Sequence, residues 1–284
     1  VSDSGSPKGI SSHRAHEIDP DRELEHPDGL LRFLDDPVTA LIPWFAFSFL
    51  LTPLGFMATA WLAFGLSLAL VAASWLRGED PKVFEVSDAI LFGVIVLVAF
   101  FGDRLVEGWF SNHADAVSNI TLTVIAFVSL AVGRPFTAEY TAARFEGADP
   151  ALLHRLDRFA TPIWGYALLF ASVVTVFGEW VLRDPTNLWT GWVLQTLPLI
   201  VALDLTMWID RRAVARARSR PDLVPPPVTL ARDLLIWLIP TGICSLVFDG
   251  GPAWLGWLLI AIGAAGTVVS WSLLLRQRSS QLAA

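Results

Sequence analysis

The residues able to do chemistry in this chain are few and stand among long apolar runs. Asp204 lies inside the run LPLIVALDLTMW, shortly before Arg211. An ionisable group within hydrocarbon is costly unless it is paired or wetted, so it marks a functional candidate. Its closeness to Arg211 places it toward one end of its helix, where a neighbouring arginine or water would satisfy it. A solute or ion path needs polar groups nearer mid-membrane, and Gln195 and Asn119, with Thr121, Thr123 and Ser172, are the best placed. Asp88, Asp103, Asp115, Glu179 and Asp249 fall at or near the ends of apolar runs, where side chains reach water easily.

A second group sits in a polar stretch between two apolar runs, GRPFTAEYTAARFEGADPALLHRLDRFATPIWGY, from Gly133 to Tyr166. Arg134, Tyr140, Arg155 and Arg158 are its recognition candidates. The three arginines would form an anion pocket for a lipid phosphate or a partner's carboxylates. Glu139, Glu146, Asp149 and Asp157 balance the charge of the loop, which favours a plain solvated face. Asp149-Pro150 is a helix start, with a side-chain acceptor before a proline at the first helical position. Leu152, Leu156 and Phe159 then share a face, which predicts an amphipathic surface helix. The stretch DRRAVARARSRPD, followed by Pro225-Pro226-Pro227, is a topology anchor and stiff linker. Its arginines at 211–220 would also attract anionic lipid, at about 1 kcal/mol per charge near the surface.

Several chemistries find no support. The five histidines (His13, His16, His26, His113, His154) all lie outside the apolar runs, so a haem held between two helices is not expected. Cys244 is the single cysteine, which removes an intramolecular disulfide and a cysteine zinc site. No HExxH, phosphate-binding loop or supported Ser-His-Asp arrangement occurs. No catalytic residue, cofactor, metal or nucleic-acid partner is expected, and an enzyme is unsupported.

The elements that position these residues are membrane helices. Hydrophobic residues make up 54% of the chain and charged residues 17%, below the roughly 25% of a soluble domain. The 13 tryptophans suit headgroup boundaries. Runs long enough to cross about 30 Å of hydrocarbon recur along the chain. They predict spans near 38–54, 56–76, 86–102, 115–132, 160–178, 188–209, 232–248 and 252–275. The first, short and holding Pro43, is expected to be tilted, kinked or partly re-entrant, and seven spans result if it does not cross. Residues 1–28 read as a polar, disordered tail, with a short interfacial cluster at Leu30–Leu34. Residues 1–36 contain no apolar core of signal-peptide length, which leaves the first span to direct insertion.

Charge sets the orientation. With the N-terminus inside, 18 of the 20 Lys and Arg residues fall in cytoplasmic segments, and only Arg104 and Arg183 fall outside. The positive-inside rule therefore predicts both termini in the cytoplasm. The fold class is all-α, a polytopic membrane bundle of about eight transmembrane helices.

Residues 41–177 resemble the intracellular septation protein A family and related bacterial inner-membrane proteins. The resemblance is carried by the early proline-containing run, ATAWLAFGLSLALVAASWLRG, GRPFTAEYT and LLHRLDRFATPIWGYALLF. It divides the chain into a septation-protein-like region at 29–178 (five spans and the cytoplasmic loop 133–158), a three-span region at 179–275 and a tail at 276–284. It implies a bacterial cytoplasmic membrane and a role in organising the envelope. The first functional expectation is thus a non-enzymatic membrane protein that docks protein partners through its cytoplasmic loops. The alternative is a small-solute or lipid transporter with a cavity between spans four to six.

Overall fold

The computed structural model describes residues 37–145, 147–184, 187–248 and 250–282, and all regular structure among them is helical. The polar tail, the Leu30–Leu34 cluster and the histidines of the first 28 residues lie outside the described residues.

The first apolar run forms Pro37–Ala40 (α1) and, after a break at Leu41, Ile42–Leu54 (α2). Pro43 sits in the first turn of α2, where its missing N–H leaves no bond unmade. Gly55 ends α2 at φ 78°, a left-handed turn that a side chain would strain. At 1.5 Å per residue the two pieces reach about 27 Å. They connect the two ends of the bundle. Leu41 lies with Phe84, Phe136 and Trp164 at one end, while Phe56, just past α2, packs on Phe110 at the other with ring centroids 6.0 Å apart.

Seven longer helical segments have the length and composition to cross a membrane. They are Phe56–Leu76 (α3), Val83–Phe101 (α4), Arg104–Ala131 (α5), Pro150–Val176 (α7), Leu194–Ala217 (α8), the pair Pro227–Ile236 (α9) and Leu238–Val247 (α10), and Ala253–Leu282 (α11). A short helix, Ala138–Arg144 (α6), lies in the central loop. Single π-helical segments extend α7 over Phe177–Leu182 and precede α8 over Trp189–Val193. Seven is the count that the sequence gives if the first run does not cross, and α1–α2 holds only a shorter apolar helix, Val38–Ser48.

Two departures stand out. The expected surface helix is the first part of α7, which continues into the bundle as one helix. Its Asp149 side chain caps the start by accepting from the Ala151 N–H at 3.0 Å. Leu153 and Leu156 are buried against Val214 and Ala215 of α8, whereas Phe159 is exposed. Leu152 also packs on this cluster, so two of the three expected residues face it and Phe159 alone departs. The central loop is also less open than predicted, because Phe136, Tyr140 and Phe145 are buried.

The loops sort by charge in space. The segment after α3, the central loop and the chain after α8 share one end: Glu139 accepts from the Val83 N–H at 2.7 Å, and Phe145 packs with Val214. Arg77, Lys82, Arg134 and the arginines of 211–220 all belong to this basic end. At the opposite end His113 meets Glu179, and the Trp189 indole N–H donates to the Gly250 carbonyl.

The core is built mainly by α1–α5 and α7. Ala60, Ala63, Phe92, Ala126 and Leu168 are each at most 1% exposed. The helices α9, α10 and α11 pack on one another with small contacts. A Cβ on Gly242 would lie 2.5 Å from the Gly256 carbonyl oxygen, so α10 and α11 touch backbone to backbone there. Such close approach is how membrane helices gain van der Waals contact without a hydrophobic driving force.

Candidate functional site

Of the acids that the sequence places at span ends, Asp88, Asp115 and Glu179 turn inward, Asp103 stays exposed at the start of α5, and Asp249 lies outside the described residues. On α4 the buried residues Phe84, Glu85, Asp88, Phe92, Ile95 and Ala99 recur at helical spacing and face the core. Glu85 accepts from the Ser74 hydroxyl at 2.8 Å and from the Lys82 backbone N–H at 3.2 Å, capping α4 as it ties α3 to it. Asp88, one turn deeper, is 0% exposed. Its Oδ1 accepts from the Trp44 indole N–H at 2.9 Å. Its Oδ2 has no hydrogen-bond partner among the described residues.

Trp44 holds Asp88 with one edge and lines a cavity of about 50 Å³ with another face. The cavity lies between α2, α5 and the start of α8. Ser48, Asp115, Ser118, Asn119, Gln195 and Thr196 supply its polar wall, and Phe45 and Trp192 also line it. One water needs about 10–15 Å³ on this scale, so the space admits a few waters or one small ion. A separate void of about 10 Å³, lined by Leu41, Phe84, Phe136, Tyr140, Trp164 and Leu168, is apolar and dry by the same reasoning.

Hydrogen bonds order the wall. Ser48 donates to Asp115 Oδ1 at 2.5 Å, fixing α2 to α5. Asn119 Nδ2 lies 2.9 Å from Thr175 Oγ1 and 2.7 Å from Gln195 Oε1, so it ties α5 to α7 and α8. Thr175 also donates to Gln195 at 3.2 Å, and the Gln195 amide N–H donates back to the Gly191 carbonyl in the π-helical segment. One turn deeper, Thr123 and Ser172 are 2.9 Å apart. Toward the end opposite the basic one, Glu179 Oε1 accepts from the Ala116 N–H at 3.1 Å, and its Oε2 lies 3.0 Å from His113 Nδ1. The Trp180 indole N–H reaches the same Nδ1 at 3.0 Å. That nitrogen carries either one lone pair or one proton, so it serves one of the two partners at a time.

Two sequence candidates, Asn119 and Gln195, are therefore in direct contact. Asp204 stands apart on α8, half-buried, with Trp237 as its hydrogen-bond donor and Asp233 and Arg211 as charged neighbours. Its Oδ2 has no hydrogen-bond partner among the described residues. Arg134, Arg155 and Arg158 are exposed at the basic end, while Tyr140 is buried with the Lys82 ammonium 4.8 Å from its ring centre. Partial burial pushes the Glu139 carboxyl above its ordinary value, opposed by the Val83 N–H. Asp88, Asp115 and Glu179 escape a reading of the sequence that expects end-of-span acids to face water. The register of Asp88 with Phe84 and Phe92 is the signal that would have found it. The expected cavity walls also differ, since α2 takes the place of the fifth span.

Fold and site together define an integral, multi-pass α-helical membrane protein with a small polar cavity inside its bundle. No family model, curated protein or solved structure matches the chain.

Proposed function

We propose that this protein is a transporter of a small cation across a bacterial cytoplasmic membrane, with the cavity between α2, α5 and α8 as its binding site. The observation that carries the reading is the convergence of Asp115, Asn119 and Gln195 on one cavity between apolar helices. Buried polar groups of this kind cost stability unless paired, and their gathering at a cavity marks a solute path. The Asp115 carboxylate, the Ser118 hydroxyl and the Asn119 amide carbonyl are oxygen ligands for a small cation, and Gln195, whose carbonyl accepts from Asn119 and Thr175, holds Asn119 in the wall. The charge split supports an orientation with the basic end and both termini in the cytoplasm.

The exposed Arg134, Arg155 and Arg158 suit the alternative, docking of a partner at the basic end, as does the envelope role implied by the septation resemblance. Their exposure alone does not separate a docking face from a solvated one. The cavity offers a specific chemistry, so transport is the reading preferred.

The test is uptake of radiolabelled sodium, rubidium or methylammonium into proteoliposomes. Wild-type protein is expected to move at least one of these, and Asp115→Asn and Gln195→Leu to abolish the movement. Uptake no faster than in protein-free vesicles, or unchanged in both variants, would remove the reading.

A further inference from the structure

We propose that Asp88 is a proton carrier and that a chain of buried carboxylates links it to both faces of the membrane, making the transport proton-coupled. The inference rests on the transport reading and adds its driving ion.

The chain runs from acid to acid through the groups that hold each one. At the end opposite the basic one, His113 and Glu179 share one position between a ring nitrogen and a carboxyl oxygen, where a proton has two seats. Glu179, on the extension of α7, sits against α5 beside Asp115, since it accepts from the backbone N–H of Ala116. Asp115 borders the cavity, whose volume holds the waters needed to carry a proton onward. Trp44 closes the far wall and holds Asp88 behind it. From Asp88 the next acid is Glu85, one turn back on α4 toward the basic end. Beyond it, Glu139 accepts from the backbone of Val83 at the surface.

Asp88 is the step that needs a mobile proton. It is wholly buried, its single described partner is a neutral indole, and its second oxygen is unpartnered among the described residues. A fixed structural acid would be paired on both oxygens, because a buried unpaired carboxylate costs several kcal/mol. The charged groups around it are accounted for. Glu85 faces it from its own helix; Lys82 and Arg77 lie beyond Glu85, the first over Tyr140 and the second bonded to Glu79 at 3.0 Å. On α2 the residue facing it is Trp44, and on α5 Asp115 lies across the cavity. The proton balance is simple. Asp88 receives a proton from water on the Asp115 side and yields it to Glu85 and then to water beside Glu139, with no other bond made or broken. Trp44 separates the two sides, and release of its bond to Asp88 is the event that switches access.

Infrared difference spectroscopy of the full chain in lipid, taken as a pH titration, tests this without any transported solute. The wild type is expected to show a carboxylic-acid carbonyl band that appears and disappears with pH, and Asp88→Asn is expected to lose it. Where Asp88→Asn fails to fold, Asp88→Glu is expected to shift the band. Difference spectra of wild type and a folded Asp88 variant that superimpose would overturn the proposal. In proteoliposomes carrying a pH-sensitive dye, an imposed proton gradient is expected to collapse faster than in empty vesicles, with that excess lost in Asp88→Asn. An excess unchanged in Asp88→Asn would also overturn it. A titrating Asp88 band without uptake of sodium, rubidium or methylammonium would refute the cation reading alone, whereas uptake without the band would refute the carrier alone.

Discussion

The bond between Trp44 and Asp88 makes a prediction whose size depends on the charge of the acid. Trp44→Phe removes the only described donor to Asp88 and leaves both oxygens buried without a partner. Asp88→Leu removes the acceptor and leaves the indole N–H orphaned in a core where Phe92 and Phe47 surround it. Each single change should cost about 1–3 kcal/mol, the penalty of one unsatisfied buried group. The double variant has no orphan, so its cost should fall short of the sum. The shortfall is the coupling, about 0.5–1.5 kcal/mol for a neutral acid and about 1.5–3 kcal/mol for a carboxylate. Unfolding titrations in mixed micelles with an anionic detergent measure all four proteins. The coupling is expected to grow as pH rises and Asp88 loses its proton. Strict additivity at every pH would show that the bond contributes nothing and refute the reasoning.

Other parts of the bundle are open to simpler tests. Gly242→Val or Gly256→Val forces apart α10 and α11, where a Cβ would meet backbone at 2.5 Å or 2.9 Å. Overpacking of this kind costs about 1–3 kcal/mol, read as a lower detergent midpoint. Asn119→Ala breaks two interhelical bonds, each worth about 0.6 kcal/mol in membranes, so a loss near 1 kcal/mol is expected by the same assay. Arg155→Ala, on an exposed side chain, should change stability by less than about 0.5 kcal/mol. The Glu139 carboxyl is raised above its ordinary value of 4.5 in the folded protein, so the folded state binds that proton more tightly. The stability this gives is present below the unfolded value and is lost as pH rises through the folded one. Glu139→Gln should flatten that part of the profile.

Depth in the membrane was legible in the sequence, and facing was not. Run length and breaks such as Pro53-Leu54-Gly55 place the spans because hydrocarbon thickness and backbone geometry act locally. The basic end follows from Arg and Lys counts, which need no contacts. Asn119 and Gln195 stand out as polar groups within apolar runs, but their contact joins residues 76 apart in sequence. Ser48 with Asp115 and Trp44 with Asp88 span 67 and 44 residues. Such pairings are set by how helices rotate against one another, which composition does not encode. The fate of Asp88 was half-visible, since its spacing from Phe84 and Phe92 puts it on the core face. The role of α2 as a cavity wall was not visible, because a short apolar helix reads alike whether it crosses centrally or lies at the rim.

The central claim is that the cavity beside Asp115 is wet and reachable by a small cation. Silver ion is of that size and reacts with thiols, so Ser118→Cys in a Cys244→Ala background reports access directly. Ala126→Cys, in the core at 0% exposure, serves as the dry reference. The account predicts rapid modification of the cysteine at 118 by silver added from one side of the membrane, slowed in excess of the transported cation, and little at 126. Equal and slow reaction at both positions would show a closed, dry bundle and contradict it.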